Sequence, residues 1–446
     1  MPDGVVHTRD YLEHDGHSNQ LYTVDLVATK TGDSLTLDFS GSSPQAPGFV
    51  NCSRAGLAGG VAGAVIPTLG FGLAWNDGLL NPVEIVAPDG LICSAVAPAP
   101  VGSATVETVW VVSNVVSAAL NRLLAATPEF AHRAQAVSSG TMATFNLSGR
   151  NQYDELFGLH LMDPLAGGFG AFADHDGQSA AGPINTPSPS IADVEVNEQK
   201  TPLVYLYRRL AIDTGGAGRR RGGVTAEIAL TVSVPEAQAL VMTHGAEVPN
   251  TIGLSGGLPG STVRQSFAQG ASPTIERGAK THEDTLTDST ELDGLANLGP
   301  KPGAFPLRNT DVFAVTWQGG GGIGDPVDRM PSEVLDDVRQ GVVSEAAARE
   351  IYGVALQSTE GGRPGGWLED GTDRLRREIR AARLGCPVED VPPDVVDLDP
   401  AARPIGVRDG EGWLPLTDRL RAIRDVSGQW RVETVAGAVL CVGSTR

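Results

Sequence analysis

The sequence predicts an α+β fold: a β-rich, loop-rich main domain with a few helices, followed by a small C-terminal appendix. Three observations carry that expectation. The 446-residue chain holds 56 Gly and 30 Pro, so much of it must run through turns and tight loops. Several short runs alternate apolar and polar residues, the mark of strands with one buried face. Beyond Gly353 a glycine-rich stretch and then an arginine-rich helical pattern break the style of what precedes.

The elements follow in order. Residues 21–28 and 34–40 flank the turn Thr31-Gly32-Asp33, and Leu35, Leu37 and Phe39 alternate with Ser34, Thr36 and Asp38, which predicts a hairpin. Val112, Val115, Val116, Ala119, Leu120, Leu123 and Leu124 recur at helical spacing, with Ser113 as the candidate cap and Pro128 as the stop. Ile228, Leu230, Val232 and Val234 alternate with polar or small residues, and residues 312–317 read as another strand. Two short helices are expected at 332–340 and 344–352, each with a hydroxyl start and a glycine end.

The main domain is thus assigned to residues 1–354, a Gly-rich linker to 355–371 and the appendix to 372–446. The appendix is predicted to hold a helix over 372–384, an acidic, proline-rich stretch over 387–400 and strand-like alternation around Trp430 to Val442.

Composition narrows the function. A net charge of −20 argues against a nucleic-acid partner, which needs clustered Lys and Arg. No basic segment followed by an apolar stretch opens the chain, and no eighteen apolar residues run uninterrupted, so neither export nor membrane insertion is expected and a cytoplasmic location is. The sequons at Asn51 and Asn146 are accordingly chance matches. Cys52, Cys93, Cys386 and Cys441 show neither disulfide nor zinc spacing.

Four motifs bear on chemistry. Gly253-Leu254-Ser255-Gly256-Gly257 fits GxSxG, but Pro249-Asn250 precedes it and Leu258-Pro259 follows, so the strand-to-helix elbow that exposes a serine nucleophile is not expected. Residues 319–324 fit GxGxxG, yet Asp325-Pro326 is expected to start no helix, and no Walker A sequence occurs anywhere. The run around Gly321 is read as a structural or subunit-contact turn, and any ATP chemistry as housed elsewhere. His7, Asp10, His14, Asp15 and His17 could gather a metal, with the histidines as weak candidates, but solvated residues at a flexible terminus are the preferred reading. Arg219, Arg220 and Arg221 sit in a glycine turn after Asp213. Their guanidinium forks could hold a phosphate or carboxylate ligand, or pair structurally with Asp213, Glu195 and Glu198, which is preferred.

Read in order, these pieces resemble the hydantoinase B/oxoprolinase family, which also contains the acetone carboxylase alpha and acetophenone carboxylase subunits. The resemblance begins at Pro2-Asp3-Gly4-Val5 and runs through Asp38-Phe39-Ser40-Gly41 and Val50-Asn51-Cys52. It continues through Gly167-Gly168-Phe169-Gly170, Glu195-Val196-Asn197-Glu198, the turn from Asp213 and the glycines at 319–322, ending near Val354. It implies a catalytic-complex subunit acting with a hydantoinase A-like ATP-binding partner on a small cyclic amide or, in the carboxylase branch, a ketone. ATP and a divalent metal would be bound mainly outside this chain. Family members carry a further segment ahead of the part matching Met1, with the presumed metal-binding His and Asp. The expectation is therefore a separate chain supplying that segment, or else a non-catalytic structural paralogue. Asp38, Asn51, Glu195, Glu198, Asp213, Arg219, Arg221 and Gly321 stand as candidate binding or structural residues, and no catalytic residue is assigned.

Overall fold

The protein is described from a computed structural model covering residues 1–74, 76–271, 294–357, 364–385 and 387–390, with the backbone of further strands between 413 and 444. It is a mixed α and β fold built on two cores.

The first core lies under a sheet ordered β1 (Gly4–Glu13), β2 (Leu21–Thr31), β3 (Ser34–Asp38) and β4 (Val83–Val86). The expected hairpin is present, with Thr31 paired to Ser34 and Gly32 at φ +53°. The N-terminal segment is no flexible end. It forms β1, paired with β2 from Gly4↔Lys30 to Glu13↔Leu21, and it buries Leu12.

Two helices cover this sheet, α1 (Arg54–Leu69) and α2 (Thr108–Ala125). Gly60 lets them touch, since a Cβ there would lie 2.8 Å from the Val109 carbonyl oxygen. By length and composition α2 could cross a membrane, but Val112, Val115, Val116 and Leu120 pack among Leu12, Val24, Leu26 and Leu57. Its cap position is Glu107, not Ser113. Ser113 lies inside the helix and donates to the Gly60 carbonyl at 2.8 Å. Pro128 does not stop α2; it opens the separate single turn α3 (Pro128–Ala131).

The second core fills the space between two sheets. One is ordered β12 (Gly303–Arg308), β9 (Glu236–Met242), β5 (Thr144–Arg150) and β6 (Leu156–His160). The other is ordered β11 (Ala296–Asn297), β10 (Arg264–Ala268), β13 (Val312–Thr316), β8 (Ala226–Val232) and β7 (Leu203–Leu210). Period-2 alternation puts Ile228, Leu230 and Val232 into this core and Ala229 on the opposite face, against Ala268, Val312 and Ala314. The helix α4 (Val194–Lys200) leads into β7.

The glycine-rich segments join the cores by crossing in extended form. Gly320 exchanges backbone hydrogen bonds with Gly216 and Gly223, Gly321 with Val137 and Ala171, and Gly322 with Leu254 and Leu258. Successive residues address neighbours in three directions, the rotation of a three-residue extended helix. Chains pack this tightly only without side chains: a Cβ on Gly320 would lie 2.0 Å from the Phe169 carbonyl oxygen, and one on Gly322 2.4 Å from that of Ala217.

The short helices follow as expected, α5 (Pro331–Arg339) and α6 (Glu345–Glu350), with Gly341 and Gly353 at positive φ beyond their ends. Ser344 caps α6 by accepting from the Ala347 amide. Strands β14 (Leu356–Gln357) and β15 (Gly366–Trp367) pair, and α7 (Glu369–Leu384) then lies against the body, Arg376 donating to the Tyr352 carbonyl at 3.2 Å and Arg380 pairing with Asp328 at 2.8 Å. The alternation around Trp430 to Val442 corresponds to strands of an antiparallel sheet, β16 (Trp413–Thr417) to β19 (Val439–Ser444). Part of the glycine run before Gly366, Cys386 and most of the acidic stretch at 387–400 lie outside the described residues.

Candidate functional site

Two clusters of buried charge sit beside the glycine crossing. The first lies on the seam between the cores. Asp10 and Glu13 come from β1, Glu107 from the head of α2, His244 from just after β9, Lys301 from just before β12 and Gln318 from just after β13. All six are at least nine-tenths buried.

At its centre, Glu107 Oε2 lies 3.1 Å from Lys301 Nζ and 3.3 Å from His244 Nδ1. Lys301 spends its other donors on the carbonyls of Glu13 at 3.0 Å and Thr243 at 2.7 Å. His244 Nε2 is 3.1 Å from the Gly140 carbonyl, which can only accept, so Nε2 carries the hydrogen. Nδ1 therefore faces Glu107 and the Thr141 hydroxyl, 3.3 Å away. Burial alone would raise the Glu107 carboxyl, but the charge of Lys301 and the His244 contact outweigh it and its pKa falls below the ordinary value.

Asp10 is the counterpart with no cation in hydrogen-bond contact, His244 acting on it only from a distance. Its Oδ1 accepts from Asn250 Nδ2 at 2.7 Å and from the Tyr11 amide at 2.8 Å, and its Oδ2 faces Asn114 Nδ2 at 3.4 Å. Burial dominates over these neutral donors, so its pKa is pushed up to about 7. The network is also incompletely paired: Glu13 Oε2, Glu107 Oε1 and Gln318 Oε1 are buried without a hydrogen-bond partner. A buried carboxyl that exchanges its proton near neutrality, beside an ion pair with open acceptors, is the combination suited to proton transfer.

The second cluster is saturated. Arg329 grips Asp176 with both Nη atoms, at 2.7 and 2.6 Å, and its Nε donates to Asp337 Oδ2 at 3.0 Å. Arg221 Nη2 meets Asp337 Oδ1 at 3.3 Å, while the Arg221 amide donates to Asp176 Oδ1 at 2.8 Å. Burial opposes the Arg329 charge, but Asp176 and Asp337 outweigh it and raise its pKa.

The structure places the candidates read from sequence as follows. Arg221 meets Asp337, not Glu195 or Glu198, and Arg220 meets Glu333 at 2.7 Å. Order along the chain places those glutamates near the turn, whereas α4 packs on β7: Glu198 accepts from the Tyr205 amide at 2.8 Å and Glu195 is exposed. Arg219 contributes its carbonyl, which accepts from Arg329 at 3.1 Å. Asp213, at φ +61°, accepts from the Ser344 amide at 2.8 Å and so tethers the start of α6. Asn51 is fully buried and its Nδ2 donates to the carbonyls of Ala46, Gly48 and Pro100. Asp38 closes a turn by accepting from the Ser40 amide.

Ser255 sits exposed in a tight turn at φ +51°, not between a strand and a helix. Gly320, Gly321, Gly322 and Gly324 each donate their amide to a carbonyl, so this run offers a phosphate no free donors. His7 pairs with Asp25 at 2.9 Å, His14 borders the seam, where burial and Lys301 lower its pKa, and His17 is exposed. Asp10 and Asp15, expected as solvated, are buried. Among the described residues no three His, Cys, Asp or Glu side chains are placed to hold a metal ion, so the donor set here does not fit the divalent metal that the resemblance implies.

The fold and its seam define a two-core α and β chain with a buried polar junction between the cores. The chain belongs to the hydantoinase B/oxoprolinase family, whose model matches residues 1–326. It is 31% identical over 264 residues to the acetone carboxylase alpha subunit of Xanthobacter autotrophicus, covering 56% of this chain and 34% of that one. It is 28% identical over 361 residues to the caprolactamase subunit beta of Pseudomonas jessenii, covering 80% and 57%. The nucleotide-free structure of acetone carboxylase, from work on ATP-dependent acetone carboxylation, matches with a TM-score of 0.76 and 25% identity over 87% of this chain and 54% of that one. The chain therefore spans between about a third and three fifths of the length of these relatives.

Proposed function

We propose that the chain is a subunit of an ATP-dependent cyclic-amide hydrolase complex, working in the cytoplasm with a hydantoinase A-like partner that holds the nucleotide. The observation that supports this most is the likeness to a caprolactamase beta subunit over 80% of the chain. The glycine run fits the same reading, because its amides are committed to the fold and form no phosphate cradle for a nucleotide. A divalent metal in the complex would draw its ligands from outside the described residues. Opening a cyclic amide adds water across the C–N bond and delivers a proton to the departing nitrogen. Asp10, balanced between its two protonation states near neutral pH, is the group in this chain suited to take up and release a proton, its carboxylate form held by donors from Asn114 and Asn250.

A second reading, a ketone carboxylase subunit, is favoured by the 31% identity to the acetone carboxylase alpha subunit. One experiment separates the readings. The chain is assayed alone and with co-expressed genomic neighbours for ATP-dependent opening of hydantoin, 5-oxoproline and caprolactam, and for bicarbonate-dependent carboxylation of acetone. Ring opening only in the presence of an ATP-binding partner is expected. Turnover by the chain alone would overturn the subunit reading, carboxylation without ring opening would replace the substrate class, and silence with every neighbour present would leave the non-catalytic paralogue.

A further inference from the structure

Three of the five arginines of α7 serve neither buried cluster through their side-chain charges, yet they converge on one place. Between α7 and the Arg219–Arg220 turn lies a cleft of about 620 Å³, within the size range of small-molecule sites. Arg376, Arg377 and Arg380 enter it from α7, at a spacing that puts all three on one side of the helix, and Arg219 and Arg220 enter from the turn. Three carboxylates, of Asp328, Glu333 and Asp373, share the lining. Five cations against three anions leave a local excess of positive charge in a chain whose net charge is −20.

That arrangement costs stability, since like charges one turn apart repel. Arg376 records the cost: burial, and then the charge of Arg380, push its pKa below the ordinary value. The local pairs do not use up the cleft's donors. Arg380 is met by Asp328 and Arg220 by Glu333, but Arg220 Nε is buried without an acceptor, and the Nε of Arg377 has only the Asp373 carbonyl at 3.4 Å. Val327 and Met330 complete the wall with apolar surface, and the Met330 side chain is largely exposed at the rim.

We propose that this cleft binds a small-molecule polyanion, its phosphate or carboxylate oxygens held by the forks of Arg220, Arg377 and Arg380 and its carbon frame against Met330. Planar guanidinium groups suit oxyanions because each offers paired donors at fixed spacing. The three α7 arginines lie beyond residues 1–326, so the family match does not cover this half of the site.

The test is calorimetric titration of the purified full chain, without partners, with inorganic pyrophosphate in one arm and citrate in the other. Saturable one-site binding that weakens with added salt is expected, and the stronger arm identifies the oxyanion class. Arg377→Gln should weaken it about tenfold, the loss of one charged hydrogen bond, with the melting temperature unchanged. Glu333→Gln removes a lining carboxylate and should tighten binding severalfold, a direction nonspecific attraction would not show as strongly. No saturable heat with either anion, an unchanged affinity in Arg377→Gln, or binding of polyglutamate but neither small anion would overturn the proposal. Because no partner is present, failure here leaves the subunit reading standing.

Discussion

The seam and the Asp176–Arg221–Arg329–Asp337 lattice both set carboxylates against basic side chains in the interior, the lattice with Asp176 partly exposed, and they differ in how completely they are paired. In the lattice every carboxylate oxygen of Asp176 and Asp337 has a donor. In the seam no cation is in hydrogen-bond contact with Asp10, and one carboxylate oxygen each of Glu13 and Glu107 has no partner within the protein. A saturated buried network fixes geometry, whereas an unsaturated one holds a group whose protonation can change. The lattice fills its carboxylate acceptors from the protein, and the seam leaves some of them open.

The largest effect is expected where saturation is broken. Arg329→Ala leaves Asp176 and Asp337 together without their main cation, and stability should fall by about 4 kcal/mol, read as a drop in melting temperature. A shift near zero would mean that the lattice is not a clamp. Lys301→Met should cost somewhat less, about 3 kcal/mol at pH 8. Its pH dependence is diagnostic. The Glu107 pKa is depressed in the native protein, so the pair stabilises the fold above the carboxyl's ordinary 4.5 and loses that contribution as pH falls through the depressed value. In the variant, burial favours the protonated carboxyl, so the deficit should shrink toward pH 4. A deficit constant with pH would show that packing, not the ion pair, was lost.

Asp10→Asn carries the opposite sign. The Asp10 pKa rises from 3.8 to about 7 on folding, so its favourable contribution is complete below 3.8 and is lost as pH rises toward 7. The variant should gain on the parent between those limits, on the order of 2 kcal/mol by pH 8, measured by denaturant midpoints. Ser255→Ala, outside both clusters, should change stability by less than about 0.5 kcal/mol and leave the assembled enzyme's activity intact.

The β2–β3 hairpin, strands β8 and β13, the apolar face of α2 and the short helices α5 and α6 were legible because period 2, period 3.6 and glycine stops are local signals. The seam was not legible. Asp10, Glu107, His244 and Lys301 are scattered along the chain in unremarkable contexts, and only the docking of β1 and α2 onto the β9 side brings them together. One hint was available: Glu107 is a lone acid at the head of an apolar helix. The N-terminal histidines and aspartates were misread because a chain start suggests flexibility, whereas β1 is paired along its whole length. The arginine turn was recognised but given the wrong partners, since Asp337 lies far along the chain in α5.

The central claim, that the seam holds a carboxyl able to exchange its proton near neutrality, is tested most directly by carbon-13 NMR titration of the aspartate side-chain carboxyls. The folded protein and Asp10→Asn are compared. One carboxyl should titrate near pH 7 in the parent and be missing from the variant. If every folded-state aspartate titrates in the ordinary acid range, or if the neutral titration survives the substitution, the seam is a second clamp and not a working site.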